Sequence, residues 1–144
     1  MKTEPVAVSI VLSDYVITEQ GTGKHSLIGT FHNYNFPRFP AAPPPYFITV
    51  SLTNLDTTIR EYDVLVRIED PSNGMVLTNV GAHIQLPEGA KMTKETVIDI
   101  PLPGSPFVVQ KPGSYVVRVL LNNEDAGHRP LQVFSVTAPA NPSP

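Results

Sequence analysis

The stretch that decides the fold is residues 112–133, P-G-S-Y-V-V-R-V-L-L-N-N-E-D-A-G-H-R-P-L-Q-V. Apolar residues at every second position share one face of a strand: Tyr115, Val117, Val119 and Leu121. The polar run from Asn123 to Gly127 is rich in turn-forming residues, and apolar residues then resume. This stretch therefore predicts a hairpin of two strands, the second extending from His128 to Thr137.

The same period of two recurs along the rest of the chain. It predicts further strands over residues 6–18, 26–35, 46–55, 62–69, 75–86 and 96–102. Gly29, inside the second of these, indicates a bulge or a close approach of another group to the backbone. Sixteen prolines and nine glycines oppose long helices, and only residues 87–94 leave room for a helical turn.

Short strands joined by turns, without a credible helix, are typical of a sandwich or a barrel. A chain of 144 residues has the length of one domain. We therefore expect one all-β, antiparallel sandwich of seven or eight strands over residues 1–137. The last residues, 138–144 (A-P-A-N-P-S-P), have the composition of a disordered tail.

The closing hairpin resembles that of immunoglobulin-like modules. Those modules often carry a tyrosine near the start of the penultimate strand, and Tyr115 occupies that position here. The resemblance implies an immunoglobulin-like sandwich in which Tyr115 is a core ring whose hydroxyl bonds to a backbone group.

Composition excludes several classes of function. The net charge is −3, and the ten basic residues are spread along the chain, so we expect no nucleic-acid or anionic-lipid partner. The chain has no stretch that resembles a signal peptide or a membrane span. It has no cysteine, which fits a reducing compartment, so the expected location is cytoplasmic.

No sequence motif identifies a cofactor, a metal or a catalytic group. Residues 21–24, G-T-G-K, fail the phosphate-binding pattern because Thr18 and His25 stand where a glycine and a hydroxyl residue belong. We predict a hairpin turn there, with glycines at positive φ. The histidines lack ligand spacing, no serine lies in a nucleophile elbow, and we expect no cofactor and no metal.

Among the carboxylates, Asp70 and Asp125 have turn contexts that account for them. Asp14 has no such context, because it stands between Leu12 and Val16 in an apolar run. We expect it to face inward near a sheet end and to accept backbone hydrogen bonds.

The proline-rich segment is the candidate for interaction. Residues 36–47, F-P-R-F-P-A-A-P-P-P-Y-F, combine aromatic residues with prolines and contain P-x-x-P twice. Such segments dock into aromatic grooves as polyproline II. The residues of interest are Phe36, Pro37, Arg38, Phe39, Pro40, Tyr46 and Phe47. The favoured alternative is a connector between the sheets, with Phe36 and Phe39 capping the core.

A resemblance covers the first third of the chain. Residues 14–17 (D-Y-V-I), residues 21–31 (G-T-G-K-H-S-L-I-G-T-F) and the Phe-Pro stretch at 36–40 resemble a bacterial family marked by D-x-V-I…G-T-G-K-x-S-L-I-G-x-F. That family is a domain of unknown function. The resemblance implies a bacterial, cytoplasmic β-sandwich, and it implies no activity and no site residues.

Three functions are consistent with the sequence. The first is a non-enzymatic protein-interaction or assembly module, whose unknown partner includes a second copy bound through an edge strand. The alternative is a binder of small ligands or carbohydrate on a platform of Tyr34, Tyr46 and Phe47. The least favoured is an enzyme whose site is assembled from distant residues.

Overall fold

A computed structural model describes residues 6–56, 58–86, 93 and 95–136. The described residues form nine strands and no helix. The strands are β1 Val6–Thr18, β2 His25–Phe31, β3 Asn33–Phe36, β4 Phe47–Thr53, β5 Glu61–Asp70, β6 Met75–Gln85, β7 Ile98–Pro103, β8 Gly113–Leu121 and β9 Glu124–Ser135. The predicted helical turn at 87–94 and the predicted tail at 138–144 lie largely or wholly outside these residues.

The strands form two sheets, which confirms the predicted all-β sandwich. The first sheet has the order β2-β1-β4-β7 and the second has the order β3-β9-β8-β5-β6. Alternate residues of the facing strands fill the space between the sheets, as the period of two predicted. The fully buried core includes Leu12, Ile48, Val50 and Leu52 of the first sheet and Val64, Val66, Ile68, Val117, Val119 and Leu131 of the second.

Strand β1 is long enough to have two partners in succession. Its first half pairs with β4, ending at Ser13 opposite Phe47. Its second half, from Leu12 to Thr18, pairs with β2. From Asp14 onwards, β1 therefore pairs only with β2 among the described strands, and the β1–β2 hairpin extends past the end of β4.

The predicted strand over residues 26–35 is wrong, because the chain changes sheets at His32. Strand β2 ends at Phe31 in the first sheet, and β3 begins at Asn33 in the second, where it pairs in parallel with β9. The guanidinium of Arg129 donates to the carbonyls of His32 and Ile10, each at 3.2 Å. The Arg129 side chain thus links β9 of the second sheet to β1 of the first sheet, next to the point where the chain crosses. Because the predicted strand is divided into two, the structure has nine strands instead of the predicted seven or eight.

The predicted role of Tyr115 is confirmed. Its ring is buried, and its hydroxyl donates to the carbonyl of Lys111 at 2.7 Å. The turn after β5 is confirmed as well, since the Asp70 carboxylate accepts from the Ser72 amide at 3.0 Å and the Ser72 hydroxyl at 2.6 Å. The side chains of Tyr115 and Asp70 thus stabilise the loop before β8 and the turn after β5 through hydrogen bonds.

Candidate functional site: the hairpin and the cleft beside it

The turn of the β1–β2 hairpin has the structure that the sequence predicted. Gly21 and Gly23 have φ values of 89° and 70°, which residues other than glycine rarely adopt. The turn closes through a bond from the Glu19 amide to the Lys24 carbonyl at 2.8 Å. Residues 21–24 are therefore a hairpin turn.

Inside the hairpin, Asp14 of β1 lies over Gly29 of β2. Gly29 has a φ of 68°, and a Cβ atom there would come within 2.9 Å of the Asp14 carboxyl carbon. Glycine is needed at this position for two reasons: the backbone conformation and the space that the carboxylate takes. The sequence signalled a close approach at Gly29, and the approaching group is Asp14.

A cleft of about 400 Å³ opens beside Asp14. Its walls come from the hairpin, from β3 and from the end of the proline-rich link. The lining residues are Asp14, Gly29, Thr30, Phe31, Asn33, Tyr34, Asn35, Phe36, Pro44, Pro45 and Tyr46. Three segments distant in sequence thus meet around one carboxylate, and the lining includes no lysine, arginine, histidine or serine.

Tyr34 stands at the centre of the aromatic wall of this cleft. Its ring centroid lies 4.9 Å from that of Phe31 and 5.4 Å from that of Phe36. Tyr46 is buried nearby, and its hydroxyl donates to the Ser105 carbonyl at 2.8 Å. Burial raises the pKa of Tyr46 to about 12, although the bond to Ser105 opposes the rise.

The hydroxyl of Tyr34 is buried without a hydrogen-bond partner among the described residues. Burial raises the pKa of Tyr34, with smaller contributions from Tyr46 and from the charge of Asp14. Such an orphaned group is uncommon, because leaving a buried hydroxyl unpaired costs roughly 1–3 kcal/mol.

The carboxylate of Asp14 is also without a partner in the described part of the chain. It is exposed to the cleft, and it makes no hydrogen bond or ion pair there. Asp14 does share the core-facing side of β1 with Leu12, as expected. The backbone hydrogen bonds predicted for it are absent, because at this point the strand has run past β4 and lies over Gly29.

The opposite face of the hairpin is apolar. Tyr15, Ile17 and Ile28 are 66%, 53% and 46% exposed. Tyr15 is directly opposite Ile28 in the ladder, and Ile17 is two residues along β1, so all three share one face. This face of the hairpin therefore presents three exposed apolar side chains, next to the small polar side chains of Ser26 and Thr30.

The sheet edges differ in how they are protected against pairing. Strand β7 carries Asp99, Pro101 and Pro103, β6 carries a bulge, and β3 has four residues. Strand β2 has no proline, no acidic residue, no lysine or arginine, and an unbroken register with β1. Because Gly29 departs from extended backbone, the regular part of this edge is residues 25–28.

The seven predicted interaction residues take different positions. Tyr46 is buried, whereas Phe36, Phe39 and Phe47 are half-buried and Pro37, Arg38 and Pro40 are exposed. Phe36 and Phe39 pack edge to face at 6.0 Å against the core. Two backbone bonds of 2.8 and 2.9 Å between Ala41 and Val109 fix the middle of the segment. This arrangement favours a connector between the sheets.

The aromatic platform considered for a carbohydrate is not at the surface. Tyr34 and Tyr46 are 7% and 4% exposed, and Phe47 is half-buried at the start of β4. Their rings pack within the sandwich, so they present no exposed pair of faces to a sugar.

Histidine and carboxylate side chains meet away from the cleft. The Nδ1 atom of His83 lies 2.8 Å from the Asp63 carboxylate, and its Nε2 atom lies 3.9 Å from Glu61. The hydrogen bond to Asp63 raises the pKa of His83. All three are exposed, and among the described residues no group of three His, Cys, Asp or Glu could hold a metal ion.

Comparison with family models matches residues 8–134 to a family described as a family of unknown function (DUF6941). The chain belongs to this family. The predicted membership in a family of unknown function is therefore confirmed. The DUF6941 match spans both sheets, the hairpin and the cleft. A search of curated proteins finds no significant match.

Sequence reasoning named Tyr34 only as a ring of a surface platform, and it missed the buried arrangement around Tyr34 in this DUF6941 chain. The sequence predicts one continuous strand over residues 26–35, which keeps Tyr34 in the same strand as Gly29 and Phe31. Its position follows from the change of sheet at His32, which the hydrophobic pattern does not mark. Asp14 and Gly29 had the clearer signal, since a charged residue in an apolar strand and a glycine in its neighbour are both exceptions to the pattern.

None of the described residues forms a helix long and apolar enough to cross a membrane.

Proposed function

We propose that this chain is a non-enzymatic protein-interaction module that receives an extended segment of a partner at the β1–β2 hairpin. The observation that carries the proposal is the unprotected edge of β2 beside the exposed side chains of Tyr15, Ile17 and Ile28. Added strands gain affinity from backbone hydrogen bonds and specificity from alternate side chains. The hairpin offers both at one place.

The immunoglobulin-like character of the sandwich and its location in the bacterial cytoplasm belong to the same proposal. The bond from Tyr115 to Lys111, at the start of β8, supports the immunoglobulin-like assignment. The absence of cysteine supports a reducing compartment. Modules of this architecture commonly act by presenting edges and loops to partners.

The test is a selection of short random peptides displayed on phage against the wild-type protein. Ile28→Lys is the counter-target, because a lysine on an edge strand opposes pairing. Met75→Lys is the matched control, since Met75 is equally apolar and 59% exposed at the start of β6. We expect enriched peptides to bind wild type and Met75→Lys, to bind Ile28→Lys at least tenfold more weakly, and to shift the NMR amide signals of residues 25–28.

Peptides that bind Ile28→Lys as well as wild type, or whose signals map elsewhere, would contradict the proposed surface. Sedimentation equilibrium measures whether the protein self-associates, and so whether the segment at the β2 edge comes from a second copy. A wild-type dimer that Ile28→Lys converts to a monomer makes the partner a second copy, with β2 paired to its counterpart across a two-fold axis.

A further inference from the structure

We propose that the cleft beside Asp14 binds a guanidinium group, of the kind that an arginine side chain carries. This inference is independent of strand pairing at β2, because Asp14 lies on the opposite face of β1 from Tyr15 and Ile17. It rests on two polar groups that the chain itself leaves unpaired, on the charge of the cleft and on its aromatic wall.

The first observation is the pair of unsatisfied groups. The Asp14 carboxylate has no partner among the described residues, and Tyr34, which also lines the cleft, has a buried hydroxyl with no partner among them either. The position over Gly29 holds the carboxylate at the cleft without neutralising it. A ligand that donates hydrogen bonds to both oxygens would satisfy the two groups together.

The second observation is the sign of the charge. Among the described residues that line the cleft, Asp14 is the single charged one. An anionic ligand would meet the carboxylate with no cation to offset the repulsion, whereas a cation would gain a charge-assisted bond. The neutral hydroxyl of Tyr34 adds no positive charge to the cleft, and its oxygen has a lone pair that can accept a hydrogen bond.

The third observation selects guanidinium among the cations. The cleft presents the half-buried rings of Phe31 and Phe36, which pack on the buried ring of Tyr34. A guanidinium group is planar, stacks on aromatic faces and binds a carboxylate through two parallel bonds. The cleft volume of about 400 Å³ lies within the range of small-ligand sites, roughly 300–1,000 Å³.

The experiment is an NMR titration of the full chain with defined probes. Ethylguanidinium and a capped Gly-Arg-Gly tripeptide carry the proposed group, and the matching citrulline tripeptide is the neutral isostere. We expect both guanidinium probes to shift the amide signals of Asp14, Gly29 and Tyr34, and the citrulline peptide to bind at least tenfold more weakly. Tighter binding of the tripeptide identifies a protein segment as the source, and tighter binding of ethylguanidinium identifies a free alkylguanidine.

Three variants complete the test. Asp14→Asn should weaken guanidinium binding about tenfold or more, and Tyr34→Phe should weaken it several-fold. Glu19→Gln, an exposed carboxylate of the hairpin turn outside the cleft, is the control and should bind as wild type does. Absence of shifts in wild type, equal binding of the citrulline peptide, or undiminished binding by Asp14→Asn would each overturn the proposal.

Discussion

Two tyrosine–aspartate pairs occur in this molecule, one at the start of β8 and one beside the hairpin. In each, burial is the main cause of a raised tyrosine pKa and the charge of an aspartate adds to the rise, Asp70 for Tyr115 and Asp14 for Tyr34. In the first pair both side chains are hydrogen-bonded, Asp70 to Ser72 and Tyr115 to the Lys111 carbonyl. The second pair makes no hydrogen bond with any described residue.

The difference teaches how to separate structural from functional polar groups. A buried or partly enclosed polar group stabilises the fold when it is bonded, and it reduces stability when it is not. The hydrogen bonds of Asp70 and Tyr115 therefore account for both side chains as stabilising parts of the fold. Asp14 and Tyr34 do not, and a ligand that completes their bonds accounts for both.

The largest effect is expected at Gly29. Gly29→Ala should lose about 1–2 kcal/mol of unfolding free energy from the left-handed backbone and a further amount from contact with Asp14. Gly74→Ala is the matched control, because Gly74 has a φ of 72° and no atom within 4 Å of the added carbon. Urea unfolding should show a larger loss of unfolding free energy for Gly29→Ala than for Gly74→Ala. Equal losses would mean that contact with Asp14 contributes nothing to the effect.

A double variant isolates that contact. Adding Asp14→Ala to Gly29→Ala should recover the excess over Gly74→Ala and leave the backbone cost unchanged. Strict additivity of the two substitutions in urea unfolding would show that the carboxylate does not rest on Gly29.

A smaller, pH-dependent effect is expected at Asp70. Hydrogen bonds from Ser72 lower the pKa of Asp70 below 3.8, so its charged form stabilises the folded state above that pH. The contribution is lost as the pH falls through the lowered value. Asp70→Asn should therefore be less stable than wild type at neutral pH, and the gap should narrow in urea unfolding below pH 3.8. A gap that stays constant with pH would exclude this charge as its source.

The smallest effect is expected at Asp14. Asp14→Asn keeps the shape of the side chain and breaks no hydrogen bond or ion pair to the described residues, so the unfolding free energy should change by less than about 0.5 kcal/mol. Calorimetric melting at neutral pH measures the change. A loss comparable to that of Asp70→Asn would make Asp14 a structural residue and remove the contrast between the two pairs.

The architecture was largely predictable because alternation records burial. In β4, β5 and β8 the core residues recur at every second position, and these inward sides were predicted correctly, as was the bonded hydroxyl of Tyr115. The hairpin turn was predictable too, since Gly21 and Gly23 signal positive φ directly. Local sequence patterns were therefore sufficient to predict strand faces and turns, which depend on neighbouring residues of the chain.

The cleft was not predictable, because it depends on long-range placement. The change of sheet at His32 is fixed by Arg129, 97 positions along the chain, and nothing near His32 marks it. Asp14 and Gly29 were each noted as exceptions, but their contact follows from the register of β1 with β2. Pairing between strands decides such sites, and a single sequence does not show that pairing.

The most direct test of the contrast is to remove the two hydroxyls in parallel, as Tyr115→Phe and Tyr34→Phe, and to measure both by urea unfolding. Tyr115→Phe deletes a formed bond to the Lys111 carbonyl and should lose about 1 kcal/mol. Tyr34→Phe deletes an unpaired buried hydroxyl and should leave stability unchanged or raise it. A loss at Tyr34 equal to that at Tyr115 would show that the Tyr34 hydroxyl already serves the fold, and would contradict a binding role for the cleft.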